Sequence, residues 1–226
     1  MNVTYYGHSC IGVDTGEARL LFDPFITPNP LAGHIDIDKI AADYILVSHG
    51  HGDHIADLMT IAKRTGAKVI AMYELGQWVR RQGHDNVHEM NVGGGYRFPF
   101  GAVKLTPAVH SSSLPDGSYA GAPVGFVIQT PQHTFYFAGD TALHSDMQLI
   151  SDAYKLDFAF LPIGDNFTMD VEDAVKAAHY ISCEHIIGIH YNTFEWIKIN
   201  EQQAREKFNL AGKTLHLMNI GESKTF

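Results

Sequence analysis

The sequence predicts an α/β (α+β) protein with four layers, in which two mixed β-sheets pack face to face between outer layers of helices. Two observations favour this αββα sandwich. Short apolar runs alternate with helical patterns near both ends of the chain, which is typical of strands covered by helices. Between those regions, from Gly93 to Ala138, short β runs follow one another with turns between them.

The first predicted element is a β-hairpin. Alternating residues predict strands at Val3–Tyr6 and Cys10–Val13, and a turn leads to a further strand at Arg19–Phe22. Pro24 ends that strand because proline cannot donate to a ladder. Residues 27–33 then form an exposed loop, which either lines a substrate entrance or is a plain connector.

Strands and helices alternate over residues 44–83. The apolar run Tyr44–Val47 predicts a buried strand, and the spacing of Ile55, Leu58 and Ile61 predicts a helix that ends near Gly66. A strand at residues 67–71 and a helix at residues 75–83 continue the pattern.

The remaining elements follow the same reasoning. We predict strands at residues 96–98, 102–107, 124–130, 134–138, 156–161, 185–189 and 214–217, and helices at residues 171–182 and 201–210. No linker or low-complexity stretch interrupts them, so we expect one domain that spans residues 1–226.

Composition limits the partners. The 226 residues include 16 basic and 25 acidic side chains, and the formal charge of −9 argues against nucleic-acid binding. No apolar run approaches the length of a membrane span. With only Cys10 and Cys183, which we expect to be buried apolar residues, and no secretory leader, a cytoplasmic location is expected.

The most informative stretch follows the strand that ends at Val47. Three histidines and one aspartate, His49, His51, Asp53 and His54, fall within six residues. His49 and His51 are two apart, so an extended backbone directs both toward one metal, and Asp53 and His54 face elsewhere, toward a second metal. We expect the intervening Gly50 and Gly52 to permit a tight, partly positive-φ backbone.

The pattern His-x-His-x-Asp-His resembles the signature of the metallo-β-lactamase superfamily, and the chain is similar to its small stand-alone metal-dependent hydrolases related to ascorbate-phosphate lactonase. The similarity runs nearly end to end. Further matching motifs are Tyr6-Gly7-His8-Ser9, Phe22-Asp23-Pro24-Phe25, Ala108-Val109-His110-Ser111-Ser112, Ala138-Gly139-Asp140-Thr141, Leu161-Pro162-Ile163-Gly164, Phe167-Thr168-Met169 and Ile189-His190-Tyr191-Asn192-Thr193.

This resemblance implies the metallo-β-lactamase fold and the remaining metal ligands. It assigns His110 to the first metal, Asp140 to a bridge between both metals, and His190 to the second metal. Two divalent cations are therefore expected, with zinc preferred and manganese or iron as alternatives. Three more residues, His8, Asp23 and Asn192, are candidates for substrate contact or for support of the ligands. The other histidines lack such a motif context.

The function expected from these residues is hydrolysis of a small molecule that contains an ester, a lactone or a phosphodiester. Two metals would activate a bridging hydroxide, and Asp53 would relay its proton. The alternatives are a flavodiiron-like oxidoreductase, which has glutamate at the position of His51, an RNA-processing nuclease, and a non-catalytic metal-binding protein. Apolar loop residues predict a homo-oligomer: Phe25, Ile26, Leu31, Tyr191, Phe194 and Trp196.

Overall fold

The computed structural model describes residues 1–226, in which fourteen strands form two seven-stranded sheets. In the first sheet β3 to β6 run parallel, and β1, β2 and β14 are antiparallel to their neighbours. In spatial order this sheet contains β14 (Ser223–Thr225), β1 (Asn2–Gly7), β2 (Cys10–Asp14), β3 (Arg19–Phe22), β4 (Tyr44–Leu46), β5 (Lys68–Met72) and β6 (Val87–Met90).

The second sheet is also mixed. Its strands β10 to β13 run parallel, and β7, β8 and β9 are antiparallel to their neighbours. In spatial order it contains β13 (Thr214–His216), β12 (His185–Ile189), β11 (Phe158–Pro162), β10 (Thr134–Phe137), β9 (Val124–Gln129), β8 (Gly101–Pro107) and β7 (Gly95–Phe98).

Six helices accompany the sheets: α1 (Gly52–Ile55), α2 (Leu58–Thr65), α3 (Tyr73–Arg81), α4 (Gln148–Ala153), α5 (Val171–Tyr180) and α6 (Glu201–Leu210). Helix α3 packs on β5 and β6, and α6 packs on β13, so helices cover both sheets. Helix α2 ends as the sequence predicts, because Gly66 adopts a left-handed φ of 72° and Lys63 and Arg64 occupy its last turn.

Aromatic rings fill the space between the sheets. Phe22 of β3 stacks on Phe137 of β10 with ring centroids 4.7 Å apart, and it meets Phe126 of β9 edge-on at 6.2 Å. These side chains are fully buried. The stacked sheets and their outer helices confirm the predicted αββα sandwich.

The parallel strands explain where the functional residues gather. In the first sheet the carboxyl ends of β1, β3 and β4 reach the same edge, and in the second sheet those of β8, β10 and β12 do so. Hydrogen bonds connect the sheets at this edge. The amide of His190 donates to the carbonyl of His8 at 2.9 Å, and that of Val124 donates to the carbonyl of Ser48 at 3.0 Å.

The structure corrects several details. Strands β6 and β14 and helix α4 were not predicted. Neither Gly50 nor Gly52 has a positive φ, so the expected positive-φ backbone between the ligands is wrong. Gly50 is instead packed tightly: a Cβ there would overlap that of Ala120.

No helix reaches the length and apolar content that a membrane crossing requires.

The exposure of the apolar loop residues also differs from expectation. Phe25, Ile26 and Tyr191 are buried, because Phe25 packs against His8 and Tyr191 stacks on Tyr5. Among the residues expected to favour assembly, Leu31 and Trp196 are exposed.

Candidate metal centre

The seven predicted ligands gather at the edge where the carboxyl ends of the strands meet. Residues 49–54 follow β4 and enter α1, whereas His110, Asp140 and His190 follow β8, β10 and β12. The first sheet therefore supplies four of these side chains and the second sheet supplies three. Distances between their nitrogen and oxygen atoms divide them into two groups with one carboxylate between them.

The first group is His49, His51 and His110, whose candidate ligand atoms lie within 4.8 Å of one another. Nε2 of His49 and Nδ1 of His51 are 2.9 Å apart, as the spacing of two residues predicts. Nε2 of His51 lies 3.3 Å from the Ser111 hydroxyl, which fixes the ring from its other side.

The second group contains Asp53, His54 and His190, together with His8. Oδ2 of Asp53 lies 3.9 Å from Nε2 of His54 and 3.8 Å from Nε2 of His190. This group thus contains the later half of the motif, Asp53 and His54. His8 joins the group because β1 ends at the same edge.

Asp140 lies between the two groups. Its Oδ2 is 3.0 Å from Nε2 of His190 and 3.2 Å from Nε2 of His54 on one side. On the other side it is 3.6 Å from Nε2 of His110 and 4.0 Å from Nε2 of His49. This carboxylate thus lies within 4.0 Å of histidine nitrogens of both groups.

Asp23 organises the ligands from behind. Its Oδ1 accepts from the Ser48 amide at 2.7 Å, and its Oδ2 accepts from the Ser48 hydroxyl at 2.6 Å and from Nδ1–H of His54 at 2.8 Å. Because the Ser48 hydroxyl donates to Asp23, it accepts from Nδ1–H of His49 at 2.9 Å. In the neutral form of both rings this leaves Nε2 unprotonated and directed at the centre, as metal ligands require.

The electrostatics of the centre favour added positive charge. Burial opposes the charged form of His54, but Asp140 and Asp23 outweigh it and hold the pKa of His54 well above its ordinary value. Burial also opposes the charged form of His190, but the charge of Asp140 outweighs it and raises the pKa of His190 to about 9. The same two histidines hold the pKa of Asp140 well below its ordinary range, against the effect of burial.

The donor set suits divalent metals. Oδ1 of Asp140 is buried without a hydrogen-bond partner, and such an atom loses its hydration without compensation. Imidazole nitrogen and carboxylate oxygen are ligands that zinc, manganese and iron accept. The residues present therefore fit divalent cations.

Of the three residues predicted from sequence to contact substrate or support the ligands, two lie in the centre and one does not. His8 and Asp23 lie within the centre and contact ligands. Asn192 does not: its amide donates to Glu201, and its carbonyl oxygen accepts from the amide of Ile199, so it shapes its own loop.

Sequence reasoning missed two hydroxyl residues. Ser48 connects Asp23 to His49, and Thr193 bonds Nδ1 of His8 at 2.9 Å. Ser48 directly precedes the histidine motif, and this position is a signal that points to its role. Both cysteines are free and buried, and burial raises the pKa of the Cys183 thiol to about 11, which agrees with a packing role.

Comparison with known proteins places the chain in a family. Residues 18–191 match the model of the β-lactamase superfamily domain. A UPF0173 metal-dependent hydrolase of Flavobacterium johnsoniae is 50% identical over 223 residues, which cover 99% of each chain. A protein of the same name from Methylacidiphilum infernorum is 47% identical over the same length and coverage.

Solved structures agree with this result. Igni18, a metallo hydrolase from Ignicoccus hospitalis, superposes with a TM-score of 0.91 at 34% identity, covering 100% of this chain and 97% of that one. An isothiocyanate hydrolase from Delia radicum gut bacteria shares the fold, with a TM-score of 0.80 at 19% identity. The resemblance inferred from the motifs is confirmed: the chain belongs to the β-lactamase superfamily and, within it, to the UPF0173 metal-dependent hydrolases.

Proposed function

We propose that the chain uses two divalent metal ions, preferably zinc, to hydrolyse an ester, lactone or phosphodiester bond of a small molecule. The observation that carries this proposal is the position of Asp140 Oδ2, within 4.0 Å of histidine nitrogens from both groups. Two dications at short distance repel each other, and a carboxylate between them offsets that repulsion. Manganese and iron are the alternative metals.

The proposed ligands are His49, His51 and His110 for the first ion, Asp53, His54 and His190 for the second, and Asp140 for both. Ions held there would lower the pKa of a coordinated water, so that hydroxide would form near neutral pH, and would polarise the oxygen of the scissile bond.

Asp53 is the proposed catalytic residue. Its side chain is 30% exposed, whereas those of Asp140 and His54 are buried, so Asp53 faces the opening of the centre. His190, His54 and His8 outweigh the effect of burial and hold its pKa below the ordinary range. An ionised carboxylate at the opening is placed to accept a proton from the attacking water and to return it to the leaving group.

The test is a panel of esters, lactones and phosphodiesters assayed with zinc-loaded protein and with Asp53→Asn. We expect wild-type turnover of at least one class and a loss of about 100-fold or more in Asp53→Asn, starting at the lower end of general acid–base effects. The matched control is His133→Ala, in the turn between β9 and β10, where Nδ1 lies 3.7 Å from Asp157. Full activity of Asp53→Asn would contradict the assignment.

We also propose that residues 1–226 form one domain and that copies of the chain assemble. The hydrogen bond from the His190 amide to the His8 carbonyl supports the first point, because it joins the residue after β12 in one sheet to the residue after β1 in the other. Assembly is supported by the exposed side chains of Leu31 and Trp196. Light scattering tests it, and a mass of 25.0 kDa at micromolar concentration would contradict it.

A further inference from the structure

The loops around the candidate metal centre are poor in cationic side chains. Only Lys198, among the sixteen Lys and Arg residues of the chain, lies in them, and its Nζ is paired with the carboxylate of Glu195. These loops are residues 23–34, 47–57, 108–123, 138–147, 163–170 and 190–200. Proteins commonly hold phosphate and carboxylate groups with Arg forks or Lys, and the loops offer no free group of that kind.

The same loops are rich in carboxylates. They contain nine Asp and Glu residues, of which two, Asp53 and Asp140, are proposed metal ligands. Of the other seven, Asp23 lies behind His54 and Glu195 pairs with Lys198, but the remaining five have no ion pair with Lys or Arg and give these loops a net negative field. Such a field lowers the local concentration of polyanions, so a ligand with several negative charges is disfavoured around the reacting group.

An aromatic wall stands beside the second ligand group. The ring of Phe194 lies 5.4 Å from the ring of His8, and Phe25 lies at the same distance from His8 and 6.2 Å from Phe194. His8 in turn contacts Asp53. Phe25 is buried and Phe194 is partly exposed, so Phe194 presents an apolar surface to the approach of the centre.

The rim is apolar on the other side as well. Val109 precedes His110 and is 53% exposed. Phe167 is 54% exposed, on a loop whose Met169 amide donates to the carbonyl of Thr141, the residue after Asp140. Five of the ten large apolar side chains that are exposed lie on these loops: Leu31, Val109, Tyr119, Phe167 and Trp196.

We propose that the substrate is an uncharged carboxylic ester or lactone whose acyl part carries an apolar, preferably aromatic, group, and that Phe194 determines this preference. The inference rests on the proposed function. In the reaction, hydroxide from water bonds to the acyl carbon, the bond from that carbon to the ester oxygen breaks, and the leaving oxygen takes the remaining proton. The products are a carboxylic acid and an alcohol, or a hydroxy acid from a lactone, and no oxidant or reductant is consumed.

A series of compounds with one leaving group tests this preference in the zinc-loaded protein. The compounds are para-nitrophenyl acetate, para-nitrophenyl phenylacetate, the mono-para-nitrophenyl ester of succinic acid, and para-nitrophenyl phosphate. We expect kcat/KM for the phenylacetate to exceed that for the acetate by about tenfold or more, the size of apolar pocket discrimination. Both charged compounds should react more slowly than the phenylacetate.

Variants locate the preference. Phe194→Ala should bring the ratio of phenylacetate to acetate close to one, and Phe194→Leu should keep part of it because an apolar side chain remains. Leu210→Ala, at an 89% exposed position on α6, is the control and should leave the ratio unchanged. A wild-type ratio near one, an unchanged ratio in Phe194→Ala, or faster hydrolysis of a charged compound would overturn the proposal.

Calorimetric titration of the zinc-loaded protein separates this inference from the proposed function. The ligands titrated are phenylacetate, acetate and inorganic phosphate, whose binding can be measured without hydrolysis. If no ester is hydrolysed but phenylacetate binds about tenfold tighter than acetate, the proposed hydrolysis fails and the apolar preference stands. If esters are hydrolysed but acetate or phosphate binds as tightly as phenylacetate, the preference fails and the proposed hydrolysis stands.

Discussion

Nε2 of His8 lies 3.1 Å from Oδ2 of Asp53, and the other ring nitrogen lies 2.9 Å from the Thr193 hydroxyl. Burial lowers the pKa of His8 to about 4, so the ring is neutral and carries one N–H. If that hydrogen were on Nδ1, the lone pair of Nε2 would face a carboxylate. The favourable arrangement has the Thr193 hydroxyl donating to Nδ1 and Nε2–H donating to Asp53.

We therefore predict that His8 positions Asp53 without itself reacting. His8→Ala should lower kcat by about 10–100-fold, the usual effect of removing a partner of a metal ligand. His8→Gln should recover part of that loss because its amide also donates. Steady-state kinetics with metal analysis of each variant provide the measurement. Equal kcat in His8→Ala and wild type would contradict the prediction, and an equal loss in both variants would indicate a role in packing alone.

The two glycines of the ligand motif should differ in their tolerance of a side chain. A Cβ at Gly50 would overlap that of Ala120 and lie 3.0 Å from the Ser113 carbonyl, whereas a Cβ at Gly52 would meet nothing within 4 Å. Gly50→Ala should lower the free energy of unfolding by about 1–3 kcal/mol, as overpacking does. Gly52→Ala, at the start of α1, should be neutral or stabilise by about 0.4–1 kcal/mol.

Urea denaturation of the metal-free proteins measures both glycine variants against the wild type. Equal stability of the two variants would show that the loop over Gly50 moves aside at no cost.

A third prediction concerns acid sensitivity away from the centre. Half-burial, then Lys224, His185 and Arg205, lower the pKa of His216 from its ordinary value of 6.5 to about 4. Nζ of Lys224 lies 2.8 Å from Nδ1 of His216 and connects β14 to β13. The unfolded chain binds this proton more tightly, so the stability that the neutral ring contributes is complete above pH 6.5 and is lost as the pH falls toward 4.

His216→Gln removes this titration and keeps a polar side chain. The difference in free energy of unfolding between wild type and His216→Gln should move in favour of the variant as the pH falls through that range. Urea denaturation at several pH values measures it. A difference that stays constant with pH would contradict the assigned pKa.

Much of the fold follows from patterns that the sequence displays directly. Apolar runs such as Tyr44–Leu46 and Phe158–Pro162 are strands because both faces of a parallel strand are buried, and no polar alternation is needed. Strands β6 and β14 were missed for the opposite reason. Both are short edge strands with polar residues, and their pairing comes from neighbours distant in sequence.

The candidate site shows a similar division. The histidine motif and the family resemblance predicted which side chains meet, and parallel strands bring them together because their carboxyl ends reach one edge. The residues that support those ligands were harder to predict from the sequence. Thr193 contacts His8 across 185 positions, and Asn192, in the same loop, bonds to Glu201 instead. The exposure of apolar loop residues was predicted least well. Tyr191 is covered by the ring of Tyr5 in β1, and Phe25 is covered by the ring of His8, which follows β1.

The central claim is that seven side chains hold two metal ions with Asp140 between them, and elemental analysis tests it most directly. Wild type and His133→Ala, purified with excess zinc and then freed of unbound metal, should each carry about two ions per chain. Asp140→Ala should carry about one ion or fewer, because the ligand common to both groups is gone. Wild-type protein without metal, or Asp140→Ala that retains two ions, would contradict the account.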